Sequence, residues 1–430
     1  MKDRRVAIIH PDMGIGGAEQ LMLNIALSLQ KKDYEVTIYT PRFDPNHCFQ
    51  ELKDNNLPVK VHGNLFPRHI FNRCFALCAY IRMLLCTLYV IFFCGRFQLI
   101  VLDQVPLPIP FIRLFTRAKI IFYCHHPDKL LCTERSSFLK RAYRWVIDTV
   151  EEHTMAKSHE ILVNSKYTQR VFYDSFPLMA KGRRACCCCC KAPKSSILYP
   201  CIDVSIFKEN AKVDIAQVLE LNEDQRKGEL KIVSSLNRYE RKKNLALAIE
   251  AFALYLNNAS PTEKECALLI IAGGYDQAVL ENVEHYNELV RLANEKHIPH
   301  KNIRFLRSVS NAVRTMILQK SDILLYTPSN EHFGIVPLEA MYCNAVVIAC
   351  NSGGPLETVV DKRTGYLLEP QPQEWANKIT ELLRDPIKVK TMGEEGQEHV
   401  KKNFTIEAFG NQLEKTVVKL LKSKSDKKTT

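Results

Sequence analysis

Two cations and two carboxylates carry most of the chemistry this sequence offers. Arg238 and Lys243 stand five positions apart in "SLNRYERKKN" (235–244), directly after a strand-like run. Glu331 and Glu339 stand eight apart in "SNEHFGIVPLE" (329–339). A guanidinium and an ammonium at the end of a strand can hold both phosphates of a diphosphate, one as a fork and the other as a point charge. Each such bond contributes roughly 1.5–3 kcal/mol. Pro337 suits a first helical position, because its fixed φ and missing N–H cost nothing there. Glu339 is then expected in the first turn, close to the positive end of the helix dipole. A helix start with unpaired N–H groups attracts phosphate, and carboxylates beside it can accept from sugar hydroxyls. The plainer alternative is a helix cap at Glu339, a solvated loop at Glu331 and a solvated basic turn.

Three further stretches would sit at strand ends. "GIGGAE" (14–19) is a glycine-rich strand-to-helix turn, where backbone N–H groups can approach a phosphate. "YCHHPD" (123–128) places His125 or His126 at the end of another strand, and "NSGGPLE" (351–357) brings a second glycine pair. A P-loop is absent, which argues against that class of nucleotide hydrolysis. No two aspartates are spaced D-x-D, so protein cations rather than a metal are expected to neutralise a bound diphosphate.

The elements that must position these residues are legible in outline. "RVAIIH", "YEVTIYT", "FQLIVLD", "AKIIFYCH" and "HEILVNS" read as strands, and the series restarts after 229 with "LKIVSSL", "ALLIIAGG", "NIRFLRS", "DILLYTP" and "AVVIAC". Helical patterns such as 244–257 and 278–297 lie between them, and strands alternating with helices imply parallel, doubly wound sheets. The expectation is α/β, two Rossmann-like domains facing a cleft: 1–207, 208–405, and a C-terminal helix with a basic tail at 406–430. Open sheets of this kind bind ligands beyond the carboxyl ends of their strands.

Bulk composition narrows the partners. With 430 residues, two or three domains can each bury a core. The formal charge of +12 favours anionic partners such as nucleotides, phosphorylated lipid or an acidic membrane surface. No basic helix with interleaved aromatics suggests nucleic acid. Sixteen cysteines sit mostly in apolar runs, and the N-terminus passes straight into a strand without a signal peptide, so a reduced, cytosol-facing compartment is expected. The sequons at Asn258 and Asn403 would then go unused.

Two segments break the rhythm. "CFALCAYIRMLLCTLYVIFFC" (74–94) has one charge, Arg82, in 21 residues, and about 20 are enough to cross a bilayer. Strands on both sides of it belong to one expected sheet, so a helix lying in the interface is preferred, with Arg68, Arg73 and Arg96 near headgroups. A very apolar core helix is the alternative. "KGRRACCCCCKAPK" (181–194) lacks zinc-site spacing, so Cys186–Cys190 read as a low-complexity loop, with palmitoylation the alternative.

With Arg238, Lys243, Glu331 and Glu339 in place, the chain resembles the retaining glycosyltransferases of family 4, which have a GT-B fold and an E-x(7)-E motif. "NRYERKKN", "AGGYD", "VLENVEHY", "LYTPSNEHFGIVPLEAM", "NSGGPLE", "HPDMGIGGAE" and "DQVP" are similar to the members that act as α-1,3/α-1,6-mannosyltransferases of the dolichol pathway. The resemblance implies transfer of two mannoses from GDP-mannose to dolichyl-diphosphate-linked ManGlcNAc2, at the cytosolic face of the endoplasmic reticulum membrane. It implies no metal cofactor, and a complex with other transferases of that pathway. By the family pattern Arg238 and Lys243 stabilise departing GDP, Glu331 meets the mannose near its anomeric carbon, and Glu339 binds the ribose. Phe333, Gly334, Ile335 and Val336 would meet the diphosphate, and Gly16, Gly17 and His125 the acceptor or the phosphates. A covalent adduct and a same-face displacement, in which the leaving phosphate takes the acceptor proton, are both compatible. The rival readings are another membrane-associated hexosyltransferase, a dinucleotide oxidoreductase built on "GIGGAE", and an inactive membrane scaffold. The second lacks a full GxGxxG, since position 19 is Glu.

Overall fold

The computed structural model describes residues 4–54, 57–70, 74–131, 137–182, 192–207, 213–227 and 229–422. The cysteine run at 186–190, Arg73 and the tail 423–430 lie outside the described residues. The chain forms two compact units, Met1–Cys201 with Ile406–Thr430, and Ile202–Thr405. The sequence placed the junction at 207/208 and left 406–430 apart; the compact division falls at 201/202, and the terminal helix Ile406–Lys422 belongs to the first unit. Phe409, Leu413 and Val417 repeat at helical spacing and join that unit's core, which is why the segment returns.

The first unit holds seven strands: β1 (Arg5–Ile9), β2 (Glu35–Thr40), β3 (Val59–Val61), β4 (Leu99–Asp103), β5 (Lys119–Cys124), β6 (Glu160–Val163) and β7 (Ser195–Ile197). They form one parallel sheet in the order β3-β2-β1-β4-β5-β6-β7. Alternate residues of β1 serve opposite faces: Val6 and Ile8 pack with Leu23 and Phe409, Ala7 and Ile9 with Met83 and Phe172. Covered on both sides, the strands read as continuous apolar runs.

The apolar segment forms the helix Phe75–Phe93, long and apolar enough to cross a membrane by length and composition. One face, with Tyr80, Met83, Cys86 and Val90, is buried against the sheet. The other leaves Phe75, Phe92 and Phe93 exposed. The helix connects β3 to β4, both members of the same parallel sheet.

The second unit holds β8 (Lys231–Leu236), β9 (Ala267–Gly273), β10 (Ile303–Arg307), β11 (Ile323–Tyr326), β12 (Val346–Cys350) and β13 (Gly365–Leu368). These are again all parallel, in the order β10-β9-β8-β11-β12-β13. The helix Leu245–Asn258 buries Leu245, Ile249, Phe252 and Leu256 against that sheet. Both units are Rossmann-like α/β folds, as the alternation of elements implies.

Candidate functional site

In the second unit, β8 and β11 lie side by side and bring two distant turns together. After β8 the chain passes Arg238 and closes a short 3-10 turn, Arg241–Lys243, before the helix that starts at Leu245. After β11 it passes Glu331 into the helix Ile335–Tyr342. The Lys243 ammonium donates to Glu331 Oε2, and Tyr326 Oη donates to the same oxygen at 3.0 Å. Thr327 Oγ1 donates to the Lys243 carbonyl at 2.7 Å and ties the two turns together. Burial would raise the Glu331 carboxyl, but the Lys243 hydrogen bond and charge, with help from Tyr326, outweigh it and hold the group below its ordinary 4.5. Glu331 is therefore an ionised, partly buried carboxylate rather than a solvated loop residue.

Arg238 stands apart. Its side chain is 73% exposed, and Glu240 is its ion-pair partner at 3.7 Å. The expected pairing of Arg238 and Lys243 is thus one anchored ammonium and one exposed guanidinium at the end of the same strand.

Glu339 departs from expectation. The helix begins at Ile335, so Pro337 occupies its third position and Glu339 its fifth, beyond the first turn. Proline is tolerated there because none of the first amide groups of a helix has an intrahelical acceptor. Glu339 is buried and held by Arg314 of the helix Asn311–Lys320 through a bidentate contact, Arg314 Nη1 to Glu339 Oε1 at 2.9 Å and Nη2 to Oε2. Burial pushes the Glu339 carboxyl above 4.5, while the guanidinium pulls the other way.

Gly334 precedes that helix in the left-handed region at φ +86°, and among the described residues no side chain caps it. A Cβ at Gly334 would come within 3.2 Å of the Tyr326 ring. Phe333 is buried with its ring 6.0 Å from Phe404, so it shapes the turn, while Ile335 is exposed. The glycine pair of "NSGGPLE" packs under this loop. Gly353 has φ +66° and a Cβ there would lie 2.4 Å from the Glu331 carbonyl; one at Gly354 would lie 2.2 Å from that of Phe333. Gly354 N–H donates to Glu331 O at 2.7 Å. The pair is required by the backbone that carries Glu331.

In the first unit, the ends of β1, β4 and β5 gather a buried polar chain. Asp103 Oδ1 lies 2.6 Å from His10 Nδ1, and Asp103 Oδ2 lies 2.9 Å from His125 Nε2. Glu19 approaches His10 Nε2 at 3.6 Å. Burial would lower His10, but the charge and hydrogen bond of Asp103, with Glu19, raise it from 6.5 to about 9. Gly16 is extended at φ −169°, and its lack of a side chain makes room for Glu19, whose Oε2 would lie 2.3 Å from a Cβ. Gly17 faces open space. The Glu19 carboxylate thus sits beside the turn that was expected to offer its N–H groups to phosphate.

Sequence reasoning missed Arg314, Tyr326, His10, Asp103 and Glu19 as partners. His10 and Asp103 stand at the ends of "RVAIIH" and "FQLIVLD", where polar residues closing apolar strands were a readable signal. Tyr326 closes β11 in the same way, whereas Arg314, inside a helix, carries no such mark.

The profile "Glycosyl transferases group 1" matches residues 219–399, and "Glycosyltransferase Family 4" matches 15–181. Alpha-1,3/1,6-mannosyltransferase ALG2 of Dictyostelium discoideum is 42% identical over 97% of this chain and 99% of its own length. The human protein of the same name is 44% identical over 97% of this chain and 96% of its own. The chain belongs to the ALG2 mannosyltransferase family. The member from Saccharomyces cerevisiae is 36% identical over 98% of this chain and 86% of its own length. Solved structures agree in fold: sucrose-phosphate synthase of Thermosynechococcus elongatus has a TM-score of 0.71, covering 97% of this chain and 99% of that one at 19% identity. Anabaena HepE in complex with UDP has 0.69, covering 96% and 100% at 19% identity. The architecture is GT-B, and the ALG2 family's resemblance extends over both units.

Proposed function

We propose that the chain transfers mannose from GDP-mannose to dolichyl-diphosphate-linked ManGlcNAc2, making α-1,3 and α-1,6 linkages, at the cytosolic face of the endoplasmic reticulum membrane. Its curated relatives bear that α-1,3/1,6-mannosyltransferase name over nearly their whole length. The observation that carries the site assignment is the Lys243–Glu331 contact beside an uncapped helix start. An incoming diphosphate would take the ammonium, the exposed Arg238 and the N–H groups of Gly334 to Val336. Glu331, released from Lys243, would then face the sugar.

Chemistry follows from that exchange. The bond from mannose C1 to the phosphate oxygen breaks, its electrons leave with GDP, and positive charge develops on the sugar. Cations already in place stabilise the departing phosphate most where charge grows most. Two protein cations, Lys243 and Arg238, can supply that charge. Glu339 is committed to Arg314, so a ribose contact would use an oxygen lone pair that the guanidinium leaves open.

Membrane attachment draws on the first unit. Phe92 and Phe115 pack with tilted rings, centroids 5.3 Å apart, and Phe93 (76% exposed) and Leu114 (75%) extend the apolar patch. Both ends of the apolar helix return to one sheet, which fits a helix lying in the interface rather than through it. Incubation with GDP-mannose and a short-chain isoprenyl diphosphate carrying ManGlcNAc2 should yield products with one and two added mannoses, α-1,3- and α-1,6-linked. Transfer from UDP-GlcNAc instead, or no transfer from GDP-mannose, would overturn the reading.

A further inference from the structure

Four cations crowd the turn that follows β8: Arg238, Arg241, Lys242 and Lys243. They differ in what already holds them. Lys243 meets Glu331, while Arg238 and Lys242 are exposed beside Glu240, at 3.7 and 3.0 Å. Arg241 is engaged from another direction. Its Nη2 donates to Glu284 Oε2 at 3.0 Å and to Glu288 Oε1 at 2.6 Å, and its backbone N–H donates to Glu281 Oε1 at 3.1 Å. All three carboxylates come from the helix Leu280–Glu295, and their spacing of three and four residues puts them on one face of it. The hydrogen bond from Arg241, then that from His285, holds the Glu288 carboxyl below its ordinary 4.5. With two carboxylates on it, the Arg241 guanidinium offers an incoming diphosphate no net positive charge.

A second grip is buried. Asn282, on the same helix, is 7% exposed; its Nδ2 donates to the Tyr239 carbonyl at 3.1 Å, and its Oδ1 accepts from Asp276 N–H at 3.0 Å. The Tyr239 ring packs edge-on against Tyr286, centroids 5.3 Å apart, and Tyr239 N–H donates to the Gly274 carbonyl at 3.1 Å. A Cβ at Gly273 would lie 1.8 Å from the Asn237 carbonyl, so glycine is what lets β9 end this close to the basic turn. The stretches "NRYERKKN", "AGGYD" and "VLENVEHY" are therefore one assembly. Within it the turn is closed by Lys243 N–H to the Glu240 carbonyl at 2.9 Å and by Asn244 N–H to the Arg241 carbonyl at 3.0 Å. Arg241 forms one end of the turn whose other end presents Lys243.

We infer that the first turns of the helix Leu280–Glu295 clamp the basic turn, and that Arg241 is a positioning residue for Lys243 rather than a ligand of the diphosphate. An ammonium on a flexible four-carbon stem is placed accurately only when the backbone beneath it is fixed. Thr327 fixes the Lys243 carbonyl from the side of β11, and Arg241 and Asn282 fix the turn from the side of the helix. Which anion Lys243 meets rests on the functional reading above; the clamp itself does not.

The test pairs calorimetric titration of GDP with amide hydrogen exchange, both on the full chain. Glu284→Ala combined with Glu288→Ala frees Arg241, removes two negative charges near Lys243 and keeps good helix formers in place. A phosphate-binding Arg241, or charge alone, would then tighten GDP binding. The clamp gives the opposite sign: GDP binds about fivefold more weakly, the loss of two surface ion pairs, while the melting temperature stays close to that of wild type. Without nucleotide, the Lys243 and Asn244 amides exchange at least about fivefold faster in the double variant. Asn282→Ala, which leaves every charge in place, speeds the same amides. Unchanged or tighter GDP binding in the double variant, or unchanged exchange at those amides, overturns the clamp. Should wild type fail to bind GDP, the donor reading falls, and the exchange rates still decide the clamp.

Discussion

Lys243 and Glu331, 88 positions apart in sequence, share a hydrogen-bonded ion pair at the ends of neighbouring strands. Each satisfies the other's charge, and Glu331 is held as a carboxylate below its ordinary 4.5. In the proposed mechanism a diphosphate would compete for Lys243 and free Glu331. Glu331→Ala should leave the fold intact, because the residue lies in a loop, and should lower mannosyl transfer at least about 100-fold, the range seen when one transition-state contact is removed. Product formation alongside a circular dichroism melt checks this. Transfer near the wild-type rate would contradict it.

Gly353 should be nearly as sensitive although it carries no functional group. Its left-handed φ and the 2.4 Å that would separate a Cβ from the Glu331 carbonyl leave no room for alanine. Gly353→Ala is expected to destabilise the protein by about 1–3 kcal/mol and to displace Glu331, so activity falls further than stability. Chemical denaturation and turnover on the same sample separate the two effects.

Arg314 holds the buried Glu339 carboxylate. Arg314→Ala should cost about 2 kcal/mol, below the roughly 3–5 kcal/mol of fully buried pairs because the guanidinium is partly exposed. Arg314→Lys restores charge but not the fork, and should recover only part of the loss. Urea midpoints at constant pH give the comparison.

His10 predicts a pH dependence. Its folded value of about 9 lies above the unfolded 6.5, so the folded state binds that proton more tightly. The stability it contributes is fully present below pH 6.5 and is lost as pH rises through about 9. Glu151, raised to about 8, adds loss in the same direction. Urea unfolding at several pH values between 6.5 and 9 should show falling stability in wild type and a shallower fall in His10→Gln, which keeps only the Glu151 contribution. Equal slopes would contradict the His10–Asp103 coupling.

The fold was legible wherever apolar runs are long. Ten strands read from sequence are present, because buried parallel strands must be continuously apolar. The three that were not read, β3, β7 and β13, are short strands at the sheet edges with sequences VKV, SSI and GYLL. Three or four residues are too few to show a period. Glu331 and Lys243 were found because strand ends concentrate function. The partner of Glu339 was not, since Arg314 meets it only through the packing of two helices, which local sequence does not encode. The turn at Gly16 was read for phosphate, whereas Glu19, three residues on, occupies the space beside it.

The central claim is best tested by calorimetric titration of the full chain with GDP-mannose in the presence of EDTA. Wild type should bind GDP-mannose and GDP but neither UDP-GlcNAc nor NAD, and Lys243→Ala should weaken GDP-mannose binding at least about tenfold, the loss of one charge-assisted contact. Unchanged affinity in Lys243→Ala, or a preference for NAD, would contradict the account.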